Sequence, residues 1–257
     1  PQRLVVASSM SIYGEGLYRD ADGRLVSGGA RALDALEAGR WEVYNAGGRP
    51  LTPIPTPESK PPALASVYAL SKYDQERMAL IVGAAYGVST VALRLFNVYG
   101  PRQALSNPYT GVLAIFASRL LNDKPPLVYE DGLQQRDLVS AYDVARAFRL
   151  ALEAPAASGE VLNIGSGRQY TIRDLAARMA EALGKGHITP EITSKYRVGD
   201  VRHCFADISR AREVLGYRPQ VRLEEHLEEL AVWLEEQTAT DRVPEALKEL
   251  EAHRLAR

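Results

Sequence analysis

Tyr68 and Lys72 stand four residues apart in Tyr68-Ala69-Leu70-Ser71-Lys72. On a helix that spacing puts both side chains on one face, one turn apart. An ammonium beside a phenol stabilises the phenolate, which is what a tyrosine general base requires. The same spacing also fits a half-buried tyrosine beside a solvated lysine, so the pair takes its meaning from its surroundings. A second group is rich in hydroxyls: Ser8-Ser9-Met10-Ser11-Ile12-Tyr13-Gly14 directly follows the apolar run Leu4-Val5-Val6-Ala7. Open α/β sheets bind ligands just beyond the carboxyl ends of their strands, although a serine turn that caps backbone groups has the same composition. A third is Leu93-Arg94-Leu95-Phe96-Asn97-Val98-Tyr99-Gly100-Pro101, another strand end, where Asn97 can donate to a phosphate or ribose. Two arginines complete the set, Arg136 in Gln134-Gln135-Arg136-Asp137 and Arg202 in Arg197-Val198-Gly199-Asp200-Val201-Arg202. A guanidinium suits bidentate diphosphate binding, and equally a surface ion pair.

Such residues need rigid elements to position them. Leu4–Ala7 has the continuous apolar character of a strand buried on both faces, as in parallel sheets. Residues 17–52 are polar and glycine-rich around a short helical segment, 31–38, and read as a surface insertion. The stretch 53–62 holds five prolines and reads as an extended connector. Ser66 is the expected N-cap of a helix that runs to Tyr86, with Gly87 as its stop. A strand over 88–96 follows, then helices near 111–122 and 142–153 and a strand at Val161–Ile164. Thr171 and Asp174 form a capping pair ahead of the next helix, and two more helices span 207–215 and 223–234. Helices alternating with β-branched strands give the α/β rhythm.

Composition narrows the classes. The chain has 257 residues, 46% hydrophobic and 25% charged, which is ample for a sizeable core. Lys plus Arg is 31 against 32 for Asp plus Glu, so the net charge of −1 speaks against a nucleic-acid or membrane-surface partner. The single cysteine, Cys204, excludes an internal disulfide, and four scattered histidines show no metal-ligand spacing, so no metal site is read. The uncharged run 78–93 is too short to span a membrane. With no signal peptide at its head, the chain reads as cytoplasmic.

Taken in order, Ser-Ser-x-Ser-x-Tyr-Gly, Tyr-x-x-x-Lys, Arg-x-Phe-Asn-x-Tyr-Gly-Pro, Arg-Asp, Asn-Ile-Gly-Ser-Gly and Asp-Ile-Ser-Arg-Ala-x-x-x-Leu-Gly-Tyr-x-Pro resemble the extended short-chain dehydrogenase/reductase family. Within it the likeness is to NAD-dependent nucleotide-sugar epimerases and dehydratases, of the UDP-glucose 4-epimerase-like branch. The long insertion after the serine motif is similar to that of the dTDP-L-rhamnose 4-epimerase type. The resemblance covers residues 4–219. It implies an α/β fold: a partial Rossmann-like parallel sheet with a smaller C-terminal α/β substrate-binding domain. Residues 1–100 and 141–165 would form the first part with 17–52 inserted, 101–140 and 166–240 the second, and 241–257 a charged tail. It also implies NAD as cofactor, a UDP- or dTDP-linked sugar as substrate, and a homodimer when complete.

The resemblance further implies roles. Ser9 would hydrogen-bond the sugar 4-hydroxyl, Tyr68 would be the catalytic base, and Lys72 would hold the nicotinamide ribose. Ser9, Tyr68, Lys72 and Phe96 would contact the cofactor, while Ser11, Asn97, Arg136 and Arg202 would hold the substrate. The chain departs from the pattern at four places. No Gly-x-x-Gly-x-x-Gly stands at its head, so the cofactor-binding half is expected to be missing. Ser140 stands where relatives have a histidine. Some relatives carry cysteine pairs near 20–23 and 45–48; none remains here, so no zinc ribbon is expected. Met10-Ser11 replaces the Asp-Glu pair with which dehydratases eliminate water. A 4-epimerase is the leading reading; a non-catalytic nucleotide-sugar-binding remnant and a 4,6-dehydratase or reductase stay as alternatives.

Overall fold

The computed structural model describes residues 2–103 and 111–236, with positions 248 and 252. Most of the expected charged tail, 241–257, lies outside them. The chain opens with β1 (Arg3–Ser9), which passes into a 3-10 turn, Met10–Tyr13. Next come β2 (Leu17–Arg19), β3 (Leu25–Ser27), α1 (Leu33–Glu37) and β4 (Thr52–Ile54), then α2 (Val67–Tyr86), β5 (Ser89–Leu95) and β6 (Asn97–Tyr99). The middle holds α3 (Val112–Leu121), β7 (Leu127–Val128), β8 (Gln135–Arg136), β9 (Leu138–Ser140), α4 (Ala141–Glu153) and β10 (Val161–Ile164). The last part holds β11 (Tyr170–Thr171), α5 (Ile172–Ala182), β12 (Glu191–Ile192), β13 (His203–Cys204), α6 (Ser209–Leu215) and α7 (Leu223–Glu235).

Strands β1, β5 and β10 form a parallel sheet, with β5 in the centre and its Leu93 facing Ala7 on one side and Leu162 on the other. Val91, Ala92 and Leu93 are fully buried, so β5 needs no alternation of polar and apolar residues. β1 departs from the expectation of burial throughout. It is an edge strand among the described residues, and Leu4 is 41% exposed. The reason is local: Leu4 opens onto a gap beside Met78, Val82 and Tyr86 at the far end of α2.

The ends of α2 are set by local chemistry, as its sequence requires. The Ala69 N–H donates to Ser66 Oγ at 3.1 Å, and Gly87 takes the left-handed conformation at φ +66° that closes the helix. Gly83 lets the helix approach β5, because a Cβ there would come within 2.0 Å of Thr90 Oγ1. The strongest tie is ionic. Arg94 on β5 donates to Glu76 on α2 through Nε at 3.0 Å and Nη2 at 2.7 Å, with Glu76 wholly buried. Ser8 Oγ adds a 2.6 Å bond to the same carboxylate, and Arg94 Nη1 donates to Tyr13 Oη at 2.9 Å. Tyr13 Oη in turn donates to Asn163 on β10 at 2.7 Å.

Residues 17–54 are a built lobe rather than a loose excursion. They form an antiparallel sheet in the order β3-β2-β4 over a small core of Tyr18, Val43 and Leu51. At 20–23 and 45–48, where no cysteine stands, oxygens close the turns. Asp20 Oδ1 accepts from the Asp22 and Arg24 N–H groups, and Asn45 Oδ1 from those of Gly47 and Arg49. A second core gathers Leu113, Phe116 and Leu120 of α3, Leu175 and Met179 of α5, and Leu227, Leu230 and Leu234 of α7. Thr171 caps α5 by accepting from the Asp174 N–H, as expected, and Ser140 caps α4 by accepting from Tyr142. Cys204, Ile208, Leu215 and Tyr217 pack into the first core with Val91, Leu93 and Ile164, so that core draws on the C-terminal segment too. No helix of the described residues is long and apolar enough to cross a membrane.

Glu76→Gln is expected to destabilise the protein by about 3 kcal/mol, because it strands the buried Arg94 charge. Urea unfolding checks this; a loss below about 1 kcal/mol, the worth of an ordinary hydrogen bond, would show that the pair is not what holds α2 to the sheet.

Candidate active site

The first hydroxyls sit where β1 ends. Ser9 begins the 3-10 turn, and its Oγ accepts from the Ser11 N–H at 3.2 Å and from Ser11 Oγ at 2.8 Å. Tyr68 lies in the first turn of α2 and is 56% exposed. Lys72, one turn further along, reaches across to β1: its Nζ donates to Ala7 O at 3.1 Å and to Gln75 Oε1 at 3.2 Å. The lysine is thereby fixed over the strand end that carries Ser9. Ser9, Ser11, Tyr68 and Lys72 thus belong to two elements that Lys72 and Glu76 tie together. Phe96, expected to contact the cofactor, is largely buried. It is 3% exposed, and its ring packs beside Tyr13 with centroids 6.4 Å apart. Its ring belongs to the first core just beyond the end of β5, so any contact it makes with a cofactor falls to the backbone or the ring edge.

The substrate-binding residues divide. Asn97 and Arg136 line one cavity of about 340 Å³ with Tyr129, Gln134, Arg197 and Asp200. Arg136 is held there by backbone, donating through Nη1 to Arg202 O at 3.0 Å and through Nη2 to Val201 O, with Asp200 at 3.5 Å. Arg202 is a correction to the sequence reading. Its side chain is fully buried and encircled by carboxylates: Glu130 at 2.9 Å, Asp131 at 2.7 Å, and Glu42. A guanidinium so enclosed has no donor left to turn toward a diphosphate. The residue that sequence reasoning passed over is Arg197, five positions earlier. It lines the cavity, lies over the Tyr129 ring at 4.7 Å, and keeps a buried Nε without a partner. The signal was available: Arg197 precedes a glycine loop, Val198-Gly199-Asp200, whereas Arg202 leads straight into β13. Asn97 Oδ1 and Gln134 Oε1 on the same cavity are likewise buried and unpartnered. Three unsatisfied polar atoms around one cavity mark a place prepared for a polar ligand.

The carboxylates around Arg202 join distant parts of the chain. Arg31 and Glu42 come from the inserted lobe, Glu130 and Asp131 from the loop before β8. Arg31 pairs with Glu130 at 2.8 Å, and His203 Nε2 meets Glu42 at 2.9 Å. Burial opposes ionisation of Glu42, but hydrogen bonds from His203 and Arg202 outweigh it and hold the carboxyl down at about 2. Asp131 is lowered in the same way, burial being overcome by Arg202. Asp137 behaves oppositely. Complete burial pushes it up to about 6 even though Ser166 and Gly167 donate to it.

The sign follows from linkage. A carboxyl depressed in the fold lends stability that is fully present above its ordinary value of 4.5 and is lost as pH falls toward 2. Stability is therefore expected to drop between those values, and Glu42→Gln to flatten the drop, as read from urea midpoints at several pH values. Asp137 acts mostly above this window and opposes it between 3.8 and 4.5, favouring the fold as pH falls from 6 toward its ordinary 3.8. An equal drop in wild type and variant would show that Glu42 is not the group responsible.

Hydroxyls and a Tyr-Lys pair at the carboxyl ends of a parallel sheet, next to a polar cavity under a second core, define a Rossmann-like α/β protein with its ligand site at the strand ends. The chain belongs to the NAD dependent epimerase/dehydratase family, whose model matches residues 1–165. It is 37% identical over 235 residues to the dTDP-L-rhamnose 4-epimerase of Burkholderia thailandensis, covering 91% of this chain and 62% of that protein. Among solved structures, a UDP-N-acetylglucosamine 4-epimerase from Methanobrevibacter ruminantium in complex with UDP-N-acetylmuramic acid aligns with a TM-score of 0.72 and 28% identity, over 92% of this chain and 64% of that one. A UDP-glucuronic acid 4-epimerase from Bacillus cereus, in complex with UDP-glucuronic acid and NAD, aligns with a TM-score of 0.64 and 29% identity, over 90% and 60%. The chain spans less than two thirds of the length of each of these relatives.

Proposed function

We propose that this chain is the catalytic and substrate-binding part of a nucleotide-sugar 4-epimerase that uses NAD. The observation that carries the reading is Lys72, whose Nζ is bonded to Ala7 O beneath Ser9 while Tyr68 stands exposed one turn away. Two accepted bonds orient Ser9 Oγ, whose own proton is then free for a sugar oxygen. Tyr68 takes the proton of the sugar 4-hydroxyl, and the Lys72 ammonium supports the negative charge that develops on the phenol. The residues present suit the nicotinamide end of a dinucleotide. Lys72 uses two of its three protons within the protein, which leaves one for a ribose hydroxyl. NAD, when bound, supplies the hydride acceptor at C4 and returns the hydride.

Inversion at C4 needs the oxidised sugar to present its other face while the molecule stays bound. A grip at the nucleotide end does this, and Asn97, Arg136 and Arg197 supply it. The polar cavity under the second core supports the division of labour between residues 1–100 with 141–165, facing the cofactor, and residues 101–140 with 166–240, facing the nucleotide. Dehydration is disfavoured, since Met10 is buried and Ser11 carries neither a carboxylic acid nor a carboxylate. We take the complete enzyme to be a cytoplasmic homodimer. Support for the dimer is the exposed apolar surface near the C-terminal end of α2, Met78, Ile81, Val82 and Tyr86, three of which border the gap beside Leu4.

In the complete protein, Tyr68→Phe is expected to abolish turnover and to leave nucleotide-sugar affinity within a few-fold, because proton transfer matters in the transition state. Activity close to wild type would remove Tyr68 from the base role. Arg136→Ala and Arg197→Ala are each expected to weaken UDP or dTDP binding by about 1.5–3 kcal/mol, the range for hydrogen bonds to charged groups. Calorimetry with the free nucleotides checks this, and unchanged affinity in both variants would place the diphosphate elsewhere.

A further inference from the structure

The cavity that holds Asn97 and Arg136 has a neighbour of about 450 Å³, and Asp200 lines both. The neighbour is walled by Gly14 and Glu15 where the serine turn ends, by Arg31 of the inserted lobe, and by Leu64 and Ala65 just ahead of the α2 N-cap. It therefore lies between the segments that lead to Ser11 and to Tyr68. The sugar of a nucleotide held by Asn97, Arg136 and Arg197 would extend into it.

The fold satisfies the carboxylates of this wall. Glu15 accepts from Tyr18 Oη and from the Arg202 and His203 N–H groups. Asp200 Oδ1 accepts from the Val201 N–H at 2.9 Å and has Arg136 at 3.5 Å. Arg31 is different. Its Nη1 donates to Trp41 O at 3.1 Å and its Nη2 to Asp200 O at 2.9 Å, with Glu130 at 2.8 Å from Nη2. These partners hold the guanidinium in place, yet its Nε has no hydrogen-bond partner although the side chain is only 3% exposed. Glu15 Oε1 stands 3.7 Å from it, beyond hydrogen-bond range. A buried donor left without an acceptor is costly, and a ligand oxygen would relieve it.

Charge decides which kind of oxygen fits. Glu130 and Glu15 already balance the Arg31 charge, and Asp200 adds a further carboxylate, so an anionic substituent would be repelled. A hydroxyl or amide carbonyl oxygen accepts the proton without adding charge. Leu64 and Val198, 38% and 46% exposed, supply apolar wall for the carbon face of a sugar ring. An apolar pocket with one fixed polar group is the usual form of a small-molecule site. We propose that Arg31 donates through Nε to a neutral oxygen of the substrate's sugar. The inserted lobe is then a wall of the sugar subsite, and Arg31 is a specificity-determining residue. The inference rests on the nucleotide-sugar reading above and assigns that reading a contact outside the Ser-Tyr-Lys group.

Calorimetry on the complete protein tests it with UDP and dTDP, their glucose conjugates, the 2-, 3- and 6-deoxy analogues of those conjugates, and UDP-glucuronate. In the wild type, one deoxy analogue should bind roughly tenfold or more weakly than its parent, because the missing hydroxyl leaves a charged donor unpaired. Arg31→Lys keeps a positive charge opposite Glu130 but has no N–H at the Nε position. In that variant the same loss should shrink to below about threefold, as a coupled pair requires. A purely structural Arg31 would weaken the parent and every analogue alike; a loss that persists in the variant would overturn the inference. So would equal binding of all three analogues to the wild type, a result that needs no substituted protein, or tighter binding of UDP-glucuronate than of UDP-glucose. In each of these cases free UDP or dTDP still binds, and the nucleotide-sugar reading stands. Failure of every nucleotide and conjugate to bind would overturn that reading, and the inference with it.

Discussion

The Glu76–Arg94 pair is the constraint on which the site depends. Two charges taken out of water are tolerable only when geometry and further hydrogen bonds compensate their desolvation. Here the carboxylate receives two guanidinium bonds and one from Ser8, and the guanidinium also reaches Tyr13. Tyr68, Lys72 and Glu76 succeed one another at four-residue steps, so they form one stripe along α2. The stripe descends from solvent to core: Tyr68 is exposed, Lys72 touches the strand end, and Glu76 is buried against β5. Anchoring the bottom of the stripe sets the height of the tyrosine above the serines. Burial keeps Tyr13 protonated by pushing its phenol well above the ordinary range, so it serves the network as a donor to Asn163.

A second ionic assembly plays the corresponding part on the nucleotide side. Arg202 is surrounded by three carboxylates, and its own carbonyl and that of Val201 hold Arg136 at the cavity. One arginine is thus consumed as structure so that another is held in place. The inserted lobe is part of this assembly through Arg31 and Glu42, and so its position is coupled to that of the nucleotide-binding residues. The Arg202 guanidinium is saturated, whereas Asn97, Gln134 and Arg197 each keep an unpartnered atom at the cavity. Burying a polar atom without a partner costs about 1–3 kcal/mol, a penalty that a bound nucleotide would relieve.

Much of this was legible in the linear chain, and the legible part is the part that short-range chemistry controls. The ends of α2 follow from Ser66 and Gly87, and the end of β10 from the glycine turn that follows Val161–Ile164. The start of α5 follows from Thr171, whose hydroxyl satisfies a backbone donor three residues on. The Tyr-Lys spacing and the serine turn after β1 were readable because helix pitch and strand ends are local properties.

Tertiary structure alone decided what each charge is for. Arg136, Arg197 and Arg202 are equivalent as residue types, and only the fold reveals that one is enclosed by Glu42, Glu130 and Asp131 while another faces a cavity. Those partners lie 160, 72 and 71 residues away, beyond the reach of any spacing rule. Phe96 and Leu4 show the same limit for apolar residues: the first is sealed in by Tyr13, the second left open beside the end of α2. Sequence pattern determines which elements form, because backbone hydrogen bonds and pitch act over a few residues. Which side chains are free to meet a ligand is settled by packing, because burial and pairing depend on segments brought together from across the whole chain.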